Sequence, residues 1–184
     1  MIRHLSFRPL QGLLLTAALA CGIGISAAGA ATPAGGSGQA VLLVTAGDWG
    51  AYASGQGRSK VCYALSQPKQ RLPQGLNRDP AYLFVSTRPA ENVRNEISLV
   101  MGFPTKEGVD AEAVVDNASF ALVTKDTNAW VKNPAEEPRV LAAFKAGAKL
   151  VVKSQSRRGN RLSDEYSLKG FTQALERATS ECAK

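Results

Sequence analysis

The sequence predicts a mainly-β domain, an antiparallel sandwich or barrel, with two helices added at about residues 135–146 and 168–182. Three observations predict it. Short β-prone runs follow one another from Trp49 to Val131, separated by glycine, proline, asparagine and aspartate. Two of them, "AYLFVSTRP" and "RNEISLVMGFP", are closed by a proline, which has no N–H with which to continue a ladder. Two later stretches, "NPAEEPRVLAAFKAG" and "SLKGFTQALERATSEC", change to the spacing of amphipathic helices.

Residues 1–30 stand apart from the domain. "MIRHLSFRP" carries Arg3 and Arg8 and no acid, an apolar run follows, and Ala28 and Ala30 form an A-x-A pattern. A basic start, a short apolar stretch and a small-residue cleavage site make a secretory signal peptide. An uncleaved anchor competes with that reading, but Gly22, Gly24 and Gly29 interrupt a run that is short for a spanning helix. Acylation at Cys21, in "AALAC", is a second alternative and would make a lipid-anchored surface protein. Ala18 stands where lipoprotein signals usually carry leucine. The sequence therefore predicts export, to the periplasm or beyond. No apolar stretch after the signal is long enough to cross a bilayer.

Removing the signal takes away Arg3 and Arg8, so the formal net charge falls from +7 to +5. It also removes His4, the only histidine. Without imidazole, Ser-His-Asp and Cys-His catalysis and histidine-ligated zinc are excluded. About 150 residues remain, enough for one domain with its own core.

Residues 31–46 read as a flexible linker, "ATPAGGSGQA", and a first apolar segment, with a single domain over 47–184. "GDWGAYAS" and "KVCYALS" flank "GQGR" and predict a hairpin. In the second strand Cys62 points to the face opposite Tyr63. "QPKQRLPQGLNRDP" reads as a polar loop. "AEAVVDNASFALVTKDTNAWV" gives two or three short strands with turns at "DNAS" and "KDTN". In the first helix Glu136 and Glu137 lie early, Lys145 late and Gly147 at the stop, with Val140, Leu141 and Phe144 facing the core. "AKLVVKSQS" and "RLSDEYSL" form a last hairpin across "RRGN". In the final helix Ser167 is the predicted cap, Gly170 weakens the first turn and can delay the start by a residue or two, and Leu168, Phe171, Leu175, Ala178 and Cys182 share one apolar stripe.

That stripe bears on the cysteines. Cleavage leaves Cys62 and Cys182, and an exported domain with one pair most simply joins them. Two unpaired buried thiols are the alternative. Several motifs carry little chemistry. Ser66–Lys69 has S-x-x-K spacing, but it follows a strand and contains Pro68. Gly55–Lys60 has the wrong order for a phosphate loop. Asp110, Glu112 and Asp116 lack the converging glycine turn of a calcium site. No metal or other cofactor is expected. Arg157, Arg158 and Arg161 form a basic cluster, read as a solvated hairpin tip or as a contact patch for lipid phosphate, an acidic glycan or an acidic protein. Nucleic acid is not an expected partner. Trp49 and Trp130 are core or rim residues, and a contact role requires exposure. Asp164 and Glu165, beside Tyr166, are the carboxylates an enzymatic reading would need.

"GDWGAY", "VCYALSQP", "AYLFVSTRP", "NEISLVMGFP" and "YSLKGFTQAL", with Cys182, resemble the invasion-associated locus B family of exported bacterial proteins, from about Gly47 to Cys182. The resemblance implies an immunoglobulin-like β-sandwich with added helices, in the periplasm or on the cell surface. It implies no active site. The family takes its name from members linked to host-cell entry, a virulence association. A non-enzymatic role, binding a protein partner in the envelope or on a host cell, is the expectation that results.

Overall fold

The structure, a computed structural model, describes residues 38–184. The predicted signal, with Cys21, Ala28 and Ala30, lies outside these residues. The strands are β1 (Val41–Ala46), β2 (Trp49–Ser54), β3 (Val61–Ser66), β4 (Gln70–Leu72), β5 (Tyr82–Arg88) and β6 (Val93–Val100). They continue as β7 (Ala111–Val115), β8 (Ala118–Lys125), β9 (Asn128–Val131), β10 (Lys149–Gln155) and β11 (Arg161–Ser167), with helices α1 (Glu137–Ala146) and α2 (Phe171–Cys182). All strand pairs are antiparallel, in the order β1-β2-β3-β5-β6-β9-β8-β7-β10-β11-β4. One hydrogen-bonded ladder thus runs through the whole domain. Both halves turn one face to a shared core in a sandwich-like, mainly-β fold with two helices.

Local chemistry explains most of these elements. The β7–β8 and β8–β9 turns fall at "DNAS" and "KDTN". Asp116 and Asp126 take φ of 51° and 52° there, a left-handed backbone that aspartate tolerates. "GQGR" connects β2 and β3 through a 3-10 turn, Gly57–Ser59. Pro134 opens a 3-10 turn, Pro134–Glu136, that leads into α1, two residues after the predicted start. Lys145 and Gly147 close the helix as expected. Glu137 also joins α1 to the sheet, since its carboxylate accepts from the Ile97 N–H at 3.1 Å.

The core lies between the inner sheet face and the helices. Trp49, Leu83, Ile97, Phe120, Leu122, Leu150 and Tyr166 reach it from the strands, and Val140 and Phe144 from α1. α2 contributes Phe171, Ala174, Leu175 and Ala178. The Trp49 ring sits 4.8 Å from Phe171, and its indole N–H donates to the Ser167 carbonyl at 2.9 Å. Phe144 meets Phe171 edge-on at 5.5 Å. On β3 the inward residues are the small ones: Cys62, Ala64 and Ser66 are buried, while Val61, Tyr63 and Leu65 are half-buried on the other face. Small residues let α2 approach the sheet closely. Cys62 and Cys182 are bonded there with Cα atoms 5.8 Å apart.

Three details depart from the sequence reading. Ser167 ends β11 rather than capping the helix, and α2 begins at Phe171 behind Gly170, whose φ is 90°. A Cβ at Gly170 would stand 1.9 Å from the Ala46 carbonyl oxygen, so close tertiary approach places glycine here. The polar loop after β3 contains β4, which pairs with β11. The first apolar segment, Val41–Ala46, is β1, hydrogen-bonded to β2.

Candidate functional site

The outer face of the first half-sheet is built by alternation. Leu42, Tyr52 and Tyr63 stand directly opposite one another across β1, β2 and β3. The next row runs Gly50, Leu65, Phe84, Ser98, Trp130 and Val123 across β2, β3, β5, β6, β9 and β8. Tyr82 and Val100 pair beside that row. Three of the chain's four tyrosines lie on this face, which leaves Tyr166 as the one in the core.

The rings pack on each other. Tyr52 and Tyr63 stack at 5.3 Å with 14° between their planes, Tyr63 meets Phe84 at 5.6 Å, and Phe84 meets Tyr82 at 6.1 Å. Gly50 makes room for this. A Cβ there would lie 2.6 Å from the Tyr52 ring, so glycine lets the ring lie over the strand. Leu42 (50 % exposed) and Val123 (41 % exposed) bound the face, and no helix covers it among the described residues. Burial raises the Tyr63 hydroxyl above the ordinary phenol value, so it is neutral and available to donate.

Charges sit at the rim. Lys69 is 2.6 Å from Asp48, and with a hydrogen bond to Ser167 it holds the Asp48 carboxyl below the usual range. At the other end Arg88 bridges Glu91 at 2.7 Å and Glu96 at 2.9 Å. An uncharged aromatic centre with a charged rim has the composition of a protein-binding patch.

The sequence candidates divide. Trp130 lies on this face, whereas Trp49 is in the core. Ser66 donates to the Asp48 carbonyl at 2.8 Å, and Lys69 is engaged by the Asp48 carboxylate. Gly55–Lys60 is the hairpin connection. Asp110 pairs with Lys132, Glu112 with Lys153 and with the Ser119 hydroxyl, and Asp116 is a turn residue. Among the described residues no group of three or more His, Cys, Asp or Glu side chains is placed to hold a metal ion.

Asp164 and Glu165 point to opposite faces of β11. Asp164 is buried and shared by Arg71 and Arg78, each at 3.0 Å, while Glu165 pairs with Lys149 at 3.2 Å. Burial pushes the Asp164 carboxyl up, against the pull of both arginines. Tyr166 is raised by burial too. Asp164 and Tyr166 are buried on the inner face while Glu165 lies on the outer one, so the three do not converge on a shared opening. Arg157 and Arg158 line one cleft, while Arg161 lines a separate hollow beside Leu72, Pro73 and Lys153.

Sequence reasoning missed the aromatic face, Arg71 and Arg78. Alternation in β3 announces two apolar faces without saying which is the core. β4, which carries Arg71, is a three-residue strand in a polar stretch.

The fold and its cysteine bridge define a disulfide-bonded, mainly-β domain of the kind found outside the cytoplasm, where such bonds persist. Among the described residues no helix is long and apolar enough to cross a membrane. The chain belongs to the invasion-associated locus B family: the family model described as "Invasion associated locus B (IalB) protein" matches residues 49–179. A search of the curated proteins found no match, and neither did a search of the solved structures.

Proposed function

We propose that the chain is an exported, non-enzymatic protein of the periplasm or cell surface, and that it binds a protein partner in the envelope or on a host cell through the outer sheet face. The observation that carries this reading is the ladder Tyr52, Tyr63, Phe84 and Tyr82 with Trp130, half-buried and uncharged on an uncovered sheet. Tyrosine and tryptophan supply large contact area for little lost side-chain freedom and dominate binding hot spots. The pairing of Asp164 with two arginines, and of Glu165 with Lys149, leaves the carboxylate-enzyme alternative without a free acid–base pair at β11. Membership of the family supports the assignment to this protein class.

The test is co-purification from an envelope extract with the tagged protein and a Tyr63→Lys, Trp130→Lys variant. Unfolding midpoints establish that both are folded. The expected result is one partner retained by the wild type and lost with the variant. A centrally placed aromatic anchor contributes about 2 kcal/mol or more, roughly a thirtyfold change in affinity. Equal retention by both proteins contradicts the proposal.

A further inference from the structure

The β10–β11 hairpin tip is one wall of a cleft of about 540 Å³. Arg157 and Arg158 project from it, and its backbone is pinned. The Arg157 N–H donates to the Pro104 carbonyl at 2.8 Å, the Ser156 N–H to the Asn160 carbonyl at 2.9 Å, and the Asn160 N–H to the Ser156 hydroxyl at 3.1 Å. A tip held at this many points presents its arginines from a fixed frame. The facing wall is the loop after β4, with Arg78 and Asp79, and Phe103, Pro104 and Leu162 give the cleft an apolar floor.

The charge balance is uneven. Arg158 has no ion pair among the described residues, and Arg157 only approaches Glu107, at 4.0 Å. Opposite them, Arg78 (side chain 7 % exposed) shares the single Asp164 carboxylate with Arg71, so that buried group keeps one positive charge uncompensated. Asp79 is the one carboxylate in the lining. A cleft lined with arginine over low-dielectric walls concentrates positive potential. Guanidinium forks match phosphate oxygens in pairs.

We infer that this cleft binds a phosphate group whose adjoining part is apolar. Arg157 and Arg158 take the phosphate oxygens, the Arg78 side chain adds its field, and Phe103, Pro104 and Leu162 cover the apolar part. The same chemistry is offered by a soluble phosphomonoester and by a phospholipid headgroup. The site shares no residue with the aromatic face.

The test uses protein purified after export with its disulfide intact. Amide shifts of residues 76–79 and 156–160 are followed in titrations with inorganic phosphate, hexyl phosphate and, at matched ionic strength, chloride. The expected result is saturable binding of hexyl phosphate, about tenfold tighter than inorganic phosphate because part of the alkyl chain is buried. Arg157→Gln with Arg158→Gln weakens binding at least tenfold, since charge-assisted hydrogen bonds are lost. Asp79→Asn tightens it and Arg161→Gln leaves it unchanged. Co-sedimentation with phosphatidylcholine vesicles containing phosphatidate identifies a headgroup as the source. Hexyl phosphate binding without co-sedimentation identifies a soluble ligand. No saturable shift with either phosphate, equal shifts with chloride, or unchanged binding by the double arginine variant overturns the inference.

Discussion

Removing the Cys62–Cys182 bridge tests how the last helix is held. The perturbation is Cys62→Ala with Cys182→Ala, so that neither partner is left as a free thiol. The two positions are 120 residues apart in sequence. Closing a loop of that length in the unfolded chain corresponds to about 4–5 kcal/mol in the chain-entropy treatment. A single domain is typically stable by about 5–15 kcal/mol, so the loss is a large fraction of the total. The native state survives because Phe171, Ala174, Leu175 and Ala178 remain buried against the sheet. Urea unfolding should show a much lower midpoint and a steeper slope, since the unlinked chain exposes more surface. In hydrogen exchange, amides of β5 and β6, which exchange through global unfolding, should accelerate by that same loss, and residues 179–183 should lose their protection altogether. An unchanged midpoint would refute the loop-closure reasoning, and protection retained at residues 179–183 would refute the local anchoring of α2.

Three further outcomes follow from particular contacts. Asp164→Ala strands Arg71 and Arg78 beside the core and should cost about 3 kcal/mol by urea unfolding, toward the low end for a buried pair because Arg71 reaches solvent; a loss under about 1 kcal/mol would contradict that ion group's role. Gly170→Ala adds a steric contact with the Ala46 carbonyl to the left-handed backbone strain, whereas Gly57→Ala meets open space at φ 54°, so Gly170→Ala should destabilise clearly more. Lys184 and Arg177 hold the Glu181 carboxyl at about 2, against an ordinary value of 4.5. A carboxyl lowered in the folded state contributes stability that is present above 4.5 and lost as the pH falls through about 2. A carboxyl-carbon NMR titration checks this, and a midpoint at 4.5 would contradict the arrangement at the end of α2.

What was legible in the sequence follows physical locality. The turns at Asp116 and Asp126, the stop at Gly147 and the last hairpin are set by residues within a few positions of each other, and they were readable. The start of α2 was so only in part, since Gly170 announces a weak first turn but not how far the helix is delayed. It is displaced to Phe171 by Gly170 meeting Ala46, a contact 124 positions away in sequence. The site was harder still. Size suggests that Tyr63 and Leu65 are core and Cys62 and Ala64 filler, yet α2 needs small residues beneath it and turns the large ones outward. Only pairing across β1 to β9 shows that Leu42, Tyr52, Tyr63, Phe84 and Trp130 form one surface. The basic hairpin tip was visible as three arginines, but its partition between two hollows depends on Pro104 on one side and Leu72 and Pro73 on the other, all distant in sequence.

The central claim, that the outer aromatic face is the working surface, is tested most directly by site-specific photocrosslinking in living cells. A photoreactive residue is placed in turn at Tyr63 and Trp130, and at Arg139 on α1 and Ser180 on α2. The account predicts one discrete adduct with the same protein from positions 63 and 130, abolished by Tyr52→Lys, and none from 139 or 180. The same adduct from all four positions, or from 139 and 180 alone, would contradict it.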